Sequence, residues 1–145
     1  MVSKSRLQYG ALAYRVTKLR QVEVLLITSR QSKTWIIPKG WPMEDRSAAA
    51  VAAQEAMEEA GVLGRVEQRP AGSFHYKKQL SNGVLVPCEV QVFPLKVTRQ
   101  QERWPEQSQR RRSWFNTRDA AKMVKSAGLK KIIRSFEALL KNGTT

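Results

Sequence analysis

The sequence predicts an α/β domain in which a mixed β-sheet is layered against helices. Three observations carry this. Strand-like segments lie on both sides of one Ala-rich central helix, an Asn-Gly pair joins two of the later strands, and the chain ends in two segments of helical spacing.

In order, "QYGALAYRVT" and "VEVLLITS" read as two strands flanking a polar turn near Lys18 to Gln21. A shorter third strand, "WIIP", leads into a Pro-Lys-Gly turn. From Ser47 to Ala60 the segment is rich in Ala with no internal Gly or Pro, and it stops at Gly61. That is helix chemistry with a glycine terminator, and Ser47 or Asp45 is placed to cap its start. Beyond it, "GRVEQRP", "AGSFHYKKQ" and "VLVPCEVQVFPLKVT" read as strands, the last two joined across Ser81-Asn82-Gly83. "RSWFN" adds a further strand, while "TRDAAKMVK" and "LKKIIRSFEALLK" are helical. The second of these sets Leu129, Ile132, Ile133, Phe136, Leu139 and Leu140 on one stripe, the pattern of a face turned to the core. "KNGTT" reads as a frayed end.

At 145 residues the chain fits one domain, 1–145, large enough to bury around two thirds of its unfolded surface. No apolar run approaches the ~20 residues needed to cross a bilayer, and the basic start leads into "LQYGALAYRV" rather than a cleavable leader. The expectation is a cytoplasmic protein without membrane association; nothing in the sequence sets an oligomeric state. Cys88, the single cysteine, excludes an internal disulfide and is expected to fill the core. Lys and Arg number 26 against 12 Asp and Glu, a net charge of +14. Such a surplus points to a polyanionic partner: nucleic acid, an acidic membrane surface or a small phosphate-rich ligand.

Against that background the acids of "WIIPKGWPMEDRSAAAVAAQEAMEEAGVLG" stand out. On the predicted helix Glu55, Glu58 and Glu59 are spaced i, i+3 and i+4, which puts them on a sector of roughly 100°. Like charges this close repel unless a cation sits among them, and an all-oxygen donor set suits Mg²⁺ or Mn²⁺. The alternative is a solvated acidic helix end. The macrodipole weighs against it, because carboxylates just before Gly61 face the negative end of the helix.

These residues resemble the Nudix box: a Gly, five residues, a Glu, seven residues, then Arg-Glu-apolar-x-Glu-Glu-x-Gly-apolar. Gly40, Glu55, Glu58, Glu59, Gly61 and Val62 fall at its spacings, with Ala56 at the apolar position. Arg46 stands where the box has its first Glu, and Gln54 where it has Arg. In relatives that pair fixes the loop against the helix and orients the catalytic glutamate. With "VEVLLITSRQSKTWIIPKG" and "SWFNTRDAAKMV", most of the chain is similar to the diphosphoinositol polyphosphate and diadenosine polyphosphate phosphohydrolase branch.

The resemblance implies a Nudix α/β/α sandwich whose loop, helix and loop hold divalent metal, Mg²⁺ with Mn²⁺ as second choice, beside a pyrophosphate. It further implies attack of a metal-activated water on phosphorus. By position, Glu55 and Glu59 resemble the principal metal ligands and Glu58 a further ligand or base. The carbonyl of Gly40 or Lys39 resembles the backbone ligand. A base from a distant loop is the other option in the family, with Glu89, Glu102 and Glu106 as candidates here.

For substrate, Arg6, Arg30 and Lys39 lie near strand ends and the loop into the box, where this branch holds phosphates. Lys77, Lys78, Arg110, Arg111, Arg112, Lys130 and Lys131 are looser candidates. Trp41 offers a platform for a base or a plug for the loop, Trp35, Trp114 and Phe115 are assigned to packing, and His75 to a surface position. The combined reading is a metal-dependent hydrolase of inositol pyrophosphates or dinucleoside polyphosphates, a small polyphosphorylated substrate. Two alternatives stand beside it. One is an RNA 5′-pyrophosphohydrolase or RNA binder, disfavoured for want of a recognisable RNA motif. The other is a non-catalytic phosphate-ligand sensor, favoured only if Arg46 occupies the metal pocket.

Overall fold

The computed structural model describes residues 5–143. Its strands form one mixed sheet. β1 (Arg6–Val16) and β2 (Val22–Thr28) are antiparallel, with Tyr14 opposite Val24 and a tight turn in which Gln21 N–H donates to Thr17 Oγ1 at 3.1 Å. β3 (Trp35–Ile36) pairs with β2, and β4 (Lys39–Gly40) with β1 at Tyr9 and Gly10. Lys39 and Gly40, expected in a turn, are thus a two-residue strand at one end of the sheet, which the local Pro-Lys-Gly pattern conceals.

Helix α1 (Ala48–Ala60) follows, then β5 (Val62–Val66), β6 (Gly72–Gln79) and β7 (Leu85–Gln100). β6 and β7 form the expected hairpin, with Gln79 opposite Leu85 and Gly83 in the left-handed region at φ 83°. Asn82 Oδ1 accepts from the N–H of Val84, the local bond that makes Asn a turn residue. β7 also runs parallel to β1, from Arg6 opposite Cys88 to Tyr14 opposite Lys96. β8 (Arg112–Asn116) pairs with β2, and α2 (Thr117–Met123) and α3 (Ala127–Gly143) close the chain. The segment 67–70, expected to extend a strand, lies outside β5, and Lys141–Gly143, expected to fray, are the last residues of α3.

Alternation along the central strands feeds two cores. On β1, Leu12 and Tyr14 pack towards α2 and α3 with Val24, Leu26, Val90, Val92, Ile133 and Phe136. Ala11 and Ala13 face the other way, against α1 with Leu25, Ile27, Phe93 and Leu95. The product is an α/β/α sandwich. α3 buries Leu129, Ile132, Ile133 and Phe136, but its stripe ends sooner than the spacing predicts: Leu140 is half-buried and Leu139 is 46% exposed. α1 instead meets the sheet with Ala49, Ala52, Ala56 and Ala60, all fully buried or nearly so. Side chains this short bring its backbone close to the strands.

Candidate active site

α1 is held at both ends. Ser47, not Asp45, caps the start by accepting from the N–H of Ala50 at 3.2 Å. Gly61 closes the other end at φ 67°, donating its N–H to Ala56 and Met57 carbonyls. A side chain at position 61 would be strained in that left-handed conformation, and its Cβ would also lie 2.6 Å from Trp104 and 2.7 Å from Arg112.

Trp104 comes from the segment between β7 and β8, and Arg112 is the first residue of β8. Trp104 Nε1 donates to the carbonyl of Glu59 at 3.1 Å, and Arg112 Nη1 to those of Ala60 at 2.9 Å and Gly61 at 3.3 Å. Arg112 also stacks over Trp104, its Cζ 3.8 Å from the ring centroid. A cation therefore occupies the negative end of the α1 dipole, where the helix itself has only glutamates in its last turn.

The carboxylates divide. Glu59 is 5% exposed and shares a hydrogen bond with Glu55. Burial first, then this bond, pushes Glu59 up to about 9 despite the opposing charge of Arg110, and burial also raises Glu55. Glu55 lies directly over Gly40, where even a methyl group would collide with its carboxylate. Glu58 turns aside and accepts from Gln54 Nε2 at 3.0 Å, leaving Gln54 Oε1 buried without a partner. Among the described residues no three His, Cys, Asp or Glu side chains form one metal-sized cluster, so the expected triad is a carboxyl pair with a third acid alongside.

Two adjoining carboxyls beside the backbone of Gly40 form an all-oxygen donor set that fits a hard divalent cation, which would displace the proton that burial favours on them. Glu55, Glu59 and the backbone at Gly40 are the groups that meet there.

Lys39 joins this corner. Its Nζ lies 4.9 Å over the Tyr76 ring, and burial lowers it to about 8 against the attraction of Glu59. Tyr76 in turn donates its hydroxyl to the buried Gln8, at 2.5 Å. Lys78 and Arg110 also press on Lys39, whereas Lys77 is exposed on the alternate face of β6. Arg30 donates to Gln109 at 3.4 Å, and Arg111 is exposed with its backbone tied to Thr28. Arg6 is exposed at the start of β1, a few residues before Gly40's partner Tyr9, and Trp41 is 37% exposed.

Three cations nominated for phosphate, Arg110, Arg112 and Lys130, are committed to protein acceptors. Arg112 also donates to Gln101 O at 2.6 Å, and Lys130 donates to Ala121 O at 2.8 Å. Trp104 drew no attention in the sequence. The signal for it was indirect: an acidic helix end before Gly61 demands donors from elsewhere in the chain. Of the loop carboxylates, Glu106 reaches this corner, its N–H bonded to Glu58 O at 3.0 Å. Glu89 faces His75 across β6 and β7. Arg46 is exposed, and among the described residues no ion pair involves it. Trp35 stacks edge-on with Phe115 at 5.1 Å, and Cys88 is fully buried.

No family model matches the chain. It is 37% identical over 113 residues, 78% of its length, to Nudix hydrolase 17, mitochondrial, of Arabidopsis thaliana. It is 32% identical over 108 residues, 72% of its length, to diphosphoinositol polyphosphate phosphohydrolase 3-beta of Bos taurus. The chain spans 60% and 62% of the length of these two relatives. Its fold superposes on the crystal structure of C. elegans Ap4A hydrolase with a TM-score of 0.68 at 19% identity, covering 94% of this chain and 99% of that one. With the box helix, its glycine terminator and the sandwich all in place, the chain belongs to the Nudix hydrolase superfamily.

Proposed function

We propose that this chain hydrolyses phosphoanhydride bonds in inositol pyrophosphates or dinucleoside polyphosphates, using a divalent cation, Mg²⁺ or Mn²⁺. The observation that carries the reading is the pairing of a buried Glu59 with a half-buried Glu55 seated over Gly40. Even with Arg110 3.4 Å from Glu59, two carboxyls this close together are costly to ionise, and a divalent ion offsets that cost while creating a reactive site. When bound, such an ion lowers the pKa of its water and neutralises charge on the departing phosphate.

The chain's own residues do the rest. Glu55 and Glu59 hold the ion, Glu58 stands beside them, fixed by Gln54, and Lys39 offers a half-buried ammonium at the same corner for a phosphate. Arg6, Arg30, Arg111 and Lys77 form a looser exposed set, and Trp41 a partly exposed platform. Inositol pyrophosphates are preferred on the +14 charge, and the names of the bovine relative and the nematode structure support the two substrate classes. A cytoplasmic setting belongs to this reading; one plant relative is named for mitochondria. No helix among the described residues is long and apolar enough to cross a membrane. The sensor alternative loses its condition, since Arg46 is exposed.

The test is phosphate or nucleotide release over a panel of inositol pyrophosphates, dinucleoside polyphosphates, nucleoside diphosphate sugars and 5′-triphosphorylated RNA, with Mg²⁺ and with Mn²⁺. Turnover on the first two classes that falls at least about 100-fold in Glu59→Gln is the expected result. A silent panel with cation-independent ligand binding would replace the hydrolase by a binder, and release only from RNA would move the substrate to nucleic acid.

A further inference from the structure

The segment between β7 and β8 carries a buried guanidinium that the box chemistry does not account for. Arg110 is 8% exposed and spends its nitrogens on three different elements. Nη2 faces Glu59 Oε1 of α1 at 3.4 Å, Nη1 donates to Thr28 O of β2 at 3.2 Å, and Nε donates to Glu106 Oε1 of its own loop at 2.8 Å. Around it the loop is tied down twice more, by Glu106 N–H on Glu58 O at 3.0 Å and by Arg111 N–H on Thr28 Oγ1 at 2.9 Å. A guanidinium cannot shed its proton, so a buried one persists only where acceptors surround it, and the planar fork then fixes those acceptors relative to one another. On α1 itself Gln54, one residue before Glu55, brings no charge and bonds Glu58 instead.

We propose that Arg110 is a positioning residue: a guanidinium delivered from the far loop that orients Glu59 and seats Glu106 beside it, in place of the arginine absent from position 54. The geometry makes loop closure and carboxylate placement one event, because the same side chain serves both. The kinetic part of this proposal rests on the hydrolase reading; the structural part does not.

The experiment uses the full chain as wild type, Arg110→Ala, Arg110→Lys and Arg110→Ala combined with Gln54→Arg. Amide hydrogen exchange is followed over residues 101–111, and kcat and KM are measured on the best substrate of the panel. In Arg110→Ala, exchange across 101–111 should accelerate about tenfold or more. Its kcat should drop roughly 10- to 100-fold while KM stays within about threefold. Arg110→Lys, with one ammonium for three acceptors, should recover part of the loop protection, and Gln54→Arg should return part of the lost kcat. Unchanged exchange in Arg110→Ala overturns the proposal, as does a raised KM at constant kcat, which would make Arg110 a phosphate contact. Should Arg110→Ala not fold, exchange in Arg110→Lys indistinguishable from wild type overturns it. If wild type turns over nothing on the panel, the hydrolase reading fails while the exchange result still decides the role of Arg110.

Discussion

The two faces of the sheet solve different problems. On one, α3 packs Phe136, Ile133 and Leu129 into a core of large side chains. On the other, α1 meets the strands with little more than alanines. Large side chains bury more area and stabilise more, so the α3 face holds the domain together. Alanines bury less but let a helix approach closely, and that approach carries Glu55 onto Gly40 and sinks Glu59 to 5% exposure. Stability is concentrated on one face, and costly buried charge on the other.

The sharpest way to break this division is Phe136→Ala. It should lower unfolding free energy by about 3–5 kcal/mol in urea titration. Cation affinity of the folded fraction should be unchanged, because Phe136 touches nothing at the α1 end. Arg112→Ala comes next. It removes donors to Ala60, Gly61 and Gln101 carbonyls and a cation from the helix terminus, and should cost about 2 kcal/mol by the same measurement.

Gly40→Ala acts from the other side of the pair. Its methyl group meets the Glu55 carboxylate, so about 1–3 kcal/mol should be lost as that side chain is displaced, with cation binding weakened in parallel by calorimetry.

The last prediction is a pH dependence. Glu59, pushed up to about 9 in the fold and ordinary when unfolded, makes the native state hold the extra proton between those values. Its contribution to stability is present at acid pH and lost as pH rises towards 9. In cation-free buffer the melting temperature of wild type should therefore fall between about pH 5 and pH 9 relative to Glu59→Gln, as read by calorimetry.

What the sequence revealed follows the range of each signal. Ser47, Gly61 and Asn82-Gly83 act within a few residues of themselves, and the α1 caps and the β6 and β7 hairpin were legible from them. Helical spacing made the neighbourhood of Glu55 and Glu59 legible too, but not the turning of Glu58 to Gln54, which reduces the expected triad to a pair. The parallel pairing of β1 with β7 and the short β4 depend on register between segments far apart in the chain, for which local pattern holds no information. The same holds for Trp104, Glu106, Arg110 and Arg112. Trp104 carried no signal, and Glu106, Arg110 and Arg112 were candidates for a base or for phosphate rather than for holding the end of α1, until folding laid this stretch over it.

The central claim is that the α1 face is built to hold a divalent cation between Glu55 and Glu59. Calorimetric titration of Mn²⁺ into the wild type, Glu55→Gln, Glu59→Gln and Glu23→Gln chains tests it most directly; Glu23 pairs with Arg15 on the surface of β2, away from the box helix. The account predicts saturable binding to wild type and Glu23→Gln, weakened at least about tenfold in both box variants. Equal binding by all four chains would contradict it.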